Sequence, residues 1–227
     1  MPAICAYPVT NSSPAGEIRT LIFDLFGVVI AFDENSVYQR LAKYCPDSEM
    51  SFIGMQGLVS TPDLITGRMT LRQLHQRLVA DHGLALDYEA FHDSWLTPYT
   101  SAMPGVASMP RELSKKHRLV LLSNVDRYYF DAIRNQHCEL DHFAVQLVSY
   151  ELGAAKPSEA AFIAALRASQ AKPSECYFID DKDENVGAAK ALGIRGHVFT
   201  TAQALRDALV KEGVFALDKT DAYRVRL

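Results

Sequence analysis

The chain has 227 residues, of which 48% are hydrophobic and 22% are charged. This size and composition are typical of a globular protein with one large domain, or one and a half, and a substantial core. The formal net charge of -4 at pH 7 excludes the strongly basic surface of many nucleic-acid-binding proteins. No apolar run approaches the roughly 20 residues of a membrane span, so we expect neither nucleic acid nor a membrane as a partner.

The N-terminal residues and the cysteines predict the cellular location of the protein. Residues 1–17 are rich in Pro, Ser and Asn, and no basic segment is followed by a long apolar one. We therefore predict that residues 1–17 form a flexible tail rather than a secretory signal. The four cysteines lie far apart and form no CxxC pair, which favours reduced thiols and a cytoplasmic location.

The first structured segment predicts a buried strand followed by a block of helices. An apolar run from Leu21 to Phe23 is typical of a fully buried strand, and it ends at Asp24. Gly27 then allows the chain to turn. Further along, apolar residues recur at helical spacing, and polar residues that can cap helices precede them. The pattern predicts helices over 35–44, 49–58, 70–82 and 87–96.

Strands and helices alternate through the second half of the chain. The pattern predicts strands over 119–124, 143–149, 176–180 and 196–200, with helices over 108–116, 128–134, 158–169, 184–192 and 202–212. Such alternation is typical of an α/β protein, a doubly wound parallel sheet with helices on both faces. We predict that residues 18–33 and 100–227 form this Rossmann-like core, and that residues 34–99 form a small all-helical cap inserted after the first strand.

Polar side chains stand at the predicted strand ends and in one loop. Asp24, Ser123–Asn124 and Asp180–Asp181 follow or end buried strands, and Lys156 precedes a helix. Because parallel strands aim their carboxyl ends at one edge of the sheet, we expect these groups to converge there. Several carboxylates packed together repel one another unless a cation is present, and Mg²⁺ prefers hard oxygen ligands. The pattern therefore predicts a site for phosphate and Mg²⁺.

Four segments together resemble the haloacid dehalogenase (HAD) superfamily, in particular its branch of α-D-glucose-1-phosphatase-like enzymes. They are FDLFGVV (23–29), LLSN (121–124), AKPSEAAF (155–162) and FIDDKDENVGAAKALGI (178–194). Each segment alone is a weak signal, but all four in this order and spacing are specific. The resemblance covers about residues 19–212.

The resemblance implies a Mg²⁺-dependent phosphatase that hydrolyses a small soluble phosphate ester, with sugar phosphates as candidates, through an aspartyl-phosphate. Asp24 would attack phosphorus, while Ser123 and Lys156 would complete the catalytic set. Ser123, Asn124 and Lys156 would bind the phosphate. The implied metal ligands are Asp24, the backbone carbonyl of Phe26, Asp180 and Asp181, and Asn185 would support the acidic loop.

Phe26 departs from the pattern of the resembled phosphatases, in which an Asp at this position protonates the leaving oxygen. Loss of a general acid costs roughly 10²–10⁴-fold in rate. Three alternatives follow: a substrate with a good leaving group such as an anomeric sugar phosphate or an acyl phosphate, an acid supplied by the cap or by water, or a catalytically impaired phosphate-binding protein. An aromatic residue here also resembles the 2-haloacid dehalogenases. Those enzymes need no Mg²⁺ and lack an acidic pair like Asp180–Asp181, so the pair favours a phosphatase.

Overall fold

The computed structural model describes residues 16–96 and 101–215. Nearly all of the predicted tail, and the predicted cap boundary at residues 99 and 100, lie outside these ranges. Among the described helices, none is long and apolar enough to cross a membrane. The strands are β1 (Thr20–Phe23), β2 (Ile30–Ala31), β3 (Ser101–Ala102), β4 (Arg118–Ser123), β5 (Val145–Val148), β6 (Cys176–Asp180) and β7 (Arg195–Val198).

Five of the strands form a parallel sheet in the order β5-β4-β1-β6-β7. Strand β1 lies in the middle, where Phe23 pairs with Leu121 on one side and with Ile179 on the other. The order of the strands reverses beside β1, because the chain first builds outward to β5 and then returns to place β6 on the other side. Ligands bind at such a reversal, beyond the carboxyl ends of the strands. The predicted α/β doubly wound sheet is confirmed.

Helices cover both faces of this sheet, and a further group of helices makes up the segment between β2 and β3. Side chains of β1 alternate, with Leu21 and Phe23 in one apolar cluster and Ile22 in the other, so the strand is buried on both faces. The helices are α1 (Glu34–Ala42), α2 (Ser48–Met55), α3 (Pro62–Ile65), α4 (Leu71–His82), α5 (Tyr88–Leu96), α6 (Met109–Leu113), α7 (Arg127–Arg134), α8 (Ser149–Leu152), α9 (Glu159–Ser169), α10 (Asp183–Ala191) and α11 (Ala202–Lys211), with 3₁₀ turns at Leu58–Ser60, Cys138–His142 and Pro173–Glu175.

A short antiparallel pair joins the two ends of the inserted helical segment. Ile30 pairs with Ala102 and Ala31 pairs with Ser101, although some 70 residues separate the two strands along the chain. Local periodicity indicates neither strand, because each has only two residues. The pair fixes where helices α1 to α5 leave the core and where they return to it.

Several predicted boundaries differ from the structure by a few residues, and two of them have clear local reasons. The helix predicted over 49–58 ends at Met55, because Gln56 has an extended ψ of 133° and Gly57 then turns the chain with φ of 79°. The strand predicted over 143–149 ends at Val148, and Ser149 begins α8. The Ser149 hydroxyl accepts a hydrogen bond from the backbone N–H of Val125 at 3.0 Å and donates one to the carbonyl oxygen of Ile65. It thereby links the sheet to the inserted helices.

Candidate active site

Asp24 stands directly beyond β1, at the carboxyl edge of the sheet. Its backbone N–H donates to the carbonyl oxygen of Ile179 at 2.8 Å, which extends the pairing with β6 by one residue. Its Oδ1 atom accepts hydrogen bonds from the backbone N–H of Leu25 and from Lys156 Nζ, both at 2.7 Å. Its Oδ2 atom accepts no hydrogen bond from the described residues. One carboxylate oxygen is therefore held in place, while the other is available to react.

Lys156 lies between two carboxylates at the bottom of the site. Its Nζ atom is 2.7 Å from Asp24 Oδ1 and 2.7 Å from Asp180 Oδ2, and its side chain is only 1% exposed. Burial alone would lower the pKa of Lys156, but the two carboxylates outweigh it and raise this pKa above its usual value. The ammonium group therefore stays charged at neutral pH.

Asn124 positions Lys156 through its side chain. The amide Nδ2 atom donates to the Lys156 carbonyl oxygen, and the Lys156 N–H donates to Asn124 Oδ1, both at 2.8 Å. This two-point clamp ties the end of β4 to the loop before α9. The sequence predicted that Asn124 would bind phosphate, which stays a prediction; the structure shows that its side chain also positions Lys156.

Asp180 is fully buried, and both of its carboxylate oxygens are occupied. Oδ1 accepts hydrogen bonds from the Lys182 N–H and from Asn185 Nδ2, both at 2.9 Å, while Oδ2 faces Lys156. Asp181, by contrast, is exposed and lines the cavity above the site. We conclude that Asp180 organises the acidic loop and that Asp181 presents its oxygens outward. Asn185 contacts the acidic loop through this hydrogen bond, and its supporting role in the site stays a prediction.

Gly27 permits the close approach between the loop after β1 and the acidic loop. It has a φ of 79°, a conformation that side chains other than glycine rarely adopt. A Cβ atom placed there would overlap the carboxylate of Asp181. The sequence indicated only a turn at this position, because the neighbour that makes glycine necessary comes from a distant part of the chain.

The three carboxylates form a cluster that suits a divalent cation. Oxygens of Asp24, Asp180 and Asp181 all lie within 4.8 Å of one another. Burial raises the pKa of Asp24 to about 7, with Lys156 opposing the shift and Asp180 adding to it. Burial and the charge of Asp180 also raise the pKa of Asp181. These residues fit Mg²⁺, because its preferred ligands are hard oxygens and because a cation offsets the crowding of negative charge. Phe26, whose carbonyl was predicted as a further ligand, lines the same cavity.

Ser123 occupies a different position from the other predicted phosphate ligands. It ends β4 and is 1% exposed, and its hydroxyl has no hydrogen-bond partner among the described residues. It does not line the cavity, whereas its neighbour Asn124 does. Its hydrogen bond to phosphate stays a prediction, and reaching the ligand would require the hydroxyl to become accessible.

A cavity of about 930 Å³ opens over these groups. This volume is within the range of small-molecule sites, about 300–1,000 Å³. The inserted helices form part of its wall through Trp95, whose Nε1–H donates to Asp126 Oδ2 at 3.4 Å. Asp126 also caps α7, because its Oδ1 accepts from the Tyr129 N–H at 3.0 Å. The spacing of the sequence did not indicate this buried contact of Asp126 with the inserted helices, because Trp95 and Asp126 are 31 residues apart along the chain.

Comparison with known proteins places these observations in a family. A curated relative, D-ribitol-5-phosphate phosphatase from Bacteroides thetaiotaomicron, is 24% identical over 185 residues, which cover 78% of this chain and 89% of the relative. An HAD family enzyme from the same organism, solved with magnesium and inorganic phosphate, superposes with a TM-score of 0.70 at 21% identity, covering 81% of this chain and 95% of that one. An L-2-haloacid dehalogenase from Xanthobacter autotrophicus superposes with a TM-score of 0.60 at 20% identity, covering 91% of this chain and 88% of that one.

The model of one protein family matches most of the chain. It is described as the haloacid dehalogenase-like hydrolases, and the match extends over residues 18–193. All four predicted motifs begin within this range, which also contains Asp24, Lys156 and the acidic loop at Asp180 and Asp181. The chain therefore belongs to the haloacid dehalogenase-like hydrolase family.

Proposed function

We propose that the protein is a Mg²⁺-dependent phosphatase that hydrolyses a small soluble phosphate monoester. The observation that carries the proposal is the placement of Asp24. Its Oδ1 is held by Lys156, its Oδ2 accepts no hydrogen bond from the described residues, and its carboxylate lies within 4.8 Å of an oxygen of the exposed Asp181. A carboxylate nucleophile, a buried cation and an outward acidic ligand are the groups that phosphoryl transfer through an aspartyl-phosphate requires. The phosphatase name of the curated relative supports the same chemistry.

The side chains divide the reaction between them. Asp24 Oδ2 attacks phosphorus, the alkoxide of the substrate leaves, and water then hydrolyses the aspartyl-phosphate. Lys156 holds Oδ1 so that the open oxygen faces the substrate, and its charge stabilises the additional negative charge near the nucleophile. Asp24, Asp181 and the Phe26 carbonyl would hold Mg²⁺, with Asp180 beside them. When bound, the cation neutralises charge on the phosphoryl oxygens.

Phe26 limits the proton supply to the leaving oxygen. Its phenyl ring lies where the resembled phosphatases place an acid, and it packs against the ring of Phe32 with centroids 4.8 Å apart. The position therefore provides no proton. An acid from the inserted helices or a water must take over that role, or the leaving group must depart as an anion. We propose that substrates with good leaving groups react fastest. The curated relative is named for a sugar-alcohol phosphate, D-ribitol 5-phosphate, so this compound is included in the comparison of substrates proposed in the next subsection.

The acidic pair also separates this proposal from 2-haloacid dehalogenase activity. We expect the purified protein to hydrolyse p-nitrophenyl phosphate with Mg²⁺, and to lose at least about 100-fold in rate in excess EDTA because the phosphoryl charge is then uncompensated. We expect no chloride release from 2-chloropropionate, with or without metal. Colorimetric phosphate and chloride assays on one preparation check both results. Chloride release without metal would overturn the proposal, and tight Mg²⁺ binding without turnover of any phosphate would indicate a binding protein.

The raised pKa of Asp24 predicts a pH-dependent affinity for Mg²⁺. The pKa of this carboxyl is about 7 in the folded protein and 3.8 as an ordinary group. Below pH 7 each bound ion must displace a proton, so affinity should rise about tenfold per pH unit up to pH 7 and then level off. Without metal, stability should fall as pH rises from about 4 to 7, because the folded state holds this proton more tightly. Calorimetric titrations with Mg²⁺ between pH 5.5 and 8.5 measure the slope, and an affinity independent of pH would contradict it.

A further inference from the structure

The cavity has an apolar wall opposite its charged end, built from three aromatic rings. Phe26 and Phe32 lie with ring centroids 4.8 Å apart, and Tyr129 lies 5.7 Å from Phe26 and 5.6 Å from Phe32. All three line the cavity, and the two phenylalanines are only half-buried. We name this set the aromatic wall. Because Phe26 is two residues from the nucleophile, the wall begins next to the reacting phosphate.

Aliphatic side chains from the inserted helices continue this wall. Val59 is half-buried at the same cavity, and Val37 of α1, Ile65 and Trp95 of α5 lie behind it with 4% or less of each residue exposed. When Asp24 attacks phosphorus, the alcohol that leaves the phosphorus therefore departs along a surface formed mainly by the rings and backed by branched aliphatic groups. Such a surface favours ligands that bury apolar area and that stack on aromatic faces.

Three charged side chains that line this part of the cavity have protein partners, and one of them is Glu34, whose Oε2 accepts from the Tyr38 hydroxyl at 3.4 Å. Asp126 accepts hydrogen bonds from Trp95 Nε1 and the Tyr129 N–H. Arg68 Nε donates to Asp63 Oδ1 at 2.8 Å. An open-chain polyol would place hydroxyl groups against the rings, where they would lose hydrogen bonds to water that the ring faces do not replace.

From this surface we propose that the leaving group of the substrate carries a flat apolar face, as in aryl and arylalkyl phosphates, and is not an open-chain polyol. This inference rests on the proposed phosphatase function and specifies its substrate class. It separates this chain from the curated relative, whose printed substrate is D-ribitol 5-phosphate. The aromatic wall then acts as the specificity determinant, while Asp24, Lys156 and Asp181 act on the phosphoryl group of any substrate.

A matched pair of esters tests the wall without changing the leaving-group chemistry. Benzyl phosphate and D-ribitol 5-phosphate both release a primary alcohol, so the difference in kcat/KM reports on the contacts of the alcohol. We expect benzyl phosphate to be preferred by roughly 10–100-fold, the range available to apolar contacts in a pocket. Hydrolysis of both esters at equal rates, or a preference for ribitol phosphate, would overturn the inference and leave the phosphatase proposal standing.

Variants at Phe32 connect the preference to the wall. Phe32→Asn should reduce the ratio of kcat/KM for benzyl over ribitol ester by about tenfold, whereas Phe32→Leu, which keeps an apolar surface, should largely preserve it. Circular dichroism and thermal unfolding show whether both variants remain folded. A ratio that is the same in the wild type and in folded Phe32→Asn would contradict the assignment of the wall.

Binding measured without turnover separates failure of this inference from failure of the proposed function. Trp95 is the single tryptophan of the chain and lines the cavity, so its fluorescence reports on a bound ligand. Neither benzylphosphonate nor 2,3-dihydroxypropylphosphonate can be hydrolysed at its C–P bond, so binding can be measured without turnover. With Mg²⁺ present, benzylphosphonate should bind at least about tenfold more tightly, because its ring packs against the aromatic wall. If no ester is hydrolysed but this difference in affinity is found, the phosphatase proposal fails and the role of the aromatic wall in ligand selection is supported. Equal affinities would overturn that role.

Discussion

Replacing Asp24 with Asn should reduce phosphatase activity by at least about 10⁴-fold, because it removes the attacking oxygen and no other described carboxylate shares its place. The protein should remain folded. Burial already raises the pKa of Asp24 to about 7, so a neutral amide removes an unfavourable buried charge at higher pH. Initial rates with p-nitrophenyl phosphate and thermal unfolding at pH 8 measure the two effects.

The choice of Asn makes this result specific for the nucleophile. The amide keeps the size of the carboxylate and can still accept the hydrogen bond from the Leu25 N–H, which is 2.7 Å from Oδ1 in the native chain. A folded Asp24→Asn protein that retains more than about one hundredth of the native kcat would remove Asp24 from the role of nucleophile. Chemical trapping of a phosphorylated Asp24 in the native protein would provide the positive counterpart.

Replacing Lys156 with Met should destabilise the protein by about 3–5 kcal/mol, the cost of breaking a buried ion pair by removing one partner. The change leaves Asp24 and Asp180 facing each other where the ammonium group lay 2.7 Å from both. The loss should be greater at pH 8 than at pH 5, because protonation of the carboxylates relieves their repulsion at low pH. Urea unfolding in EDTA at both pH values gives the difference.

A second lysine supplies the control for this prediction. Lys115 follows α6 and is exposed, so Lys115→Met removes the same charge without leaving a buried partner and should change stability by no more than about 0.5 kcal/mol. If Lys156→Met and Lys115→Met have equal stability, the buried ion pairs are not what holds this region together. Activity of Lys156→Met should also be lost, because the clamp on Asp24 Oδ1 is absent.

The two variants test different properties of the same cluster. Replacing Asp24 is expected to affect the reaction more than the stability, because burial already makes its ionised form unfavourable in the folded protein. Lys156 is expected to matter for both, since its charge compensates two carboxylates and its backbone is clamped by Asn124. A site in which replacing the nucleophile costs little stability, while replacing its counter-ion costs several kcal/mol, is consistent with a preorganised electrostatic centre.

Much of the fold could be predicted because its signals are local. The apolar runs of β1, β4 and β6 reflect burial on both faces, and the alternation of strands and helices predicts a parallel sheet. The acidic and polar residues at strand ends followed from the same rule, because parallel strands end at one edge. The roles of Asp24, Lys156 and Asp181 remain proposals, but their proximity is a property of the fold.

The sequence by itself determined the fold class, the family and the chemical types gathered at the sheet edge. Only the tertiary structure decided the β2–β3 pairing, the occupied oxygens of Asp180, the burial of Ser123 away from the cavity and the aromatic wall of Phe26, Phe32 and Tyr129. The physical reason is that periodicity and motifs report on neighbours within a few residues. Contacts between distant segments depend on how the packed elements bring side chains together, and no local pattern records them.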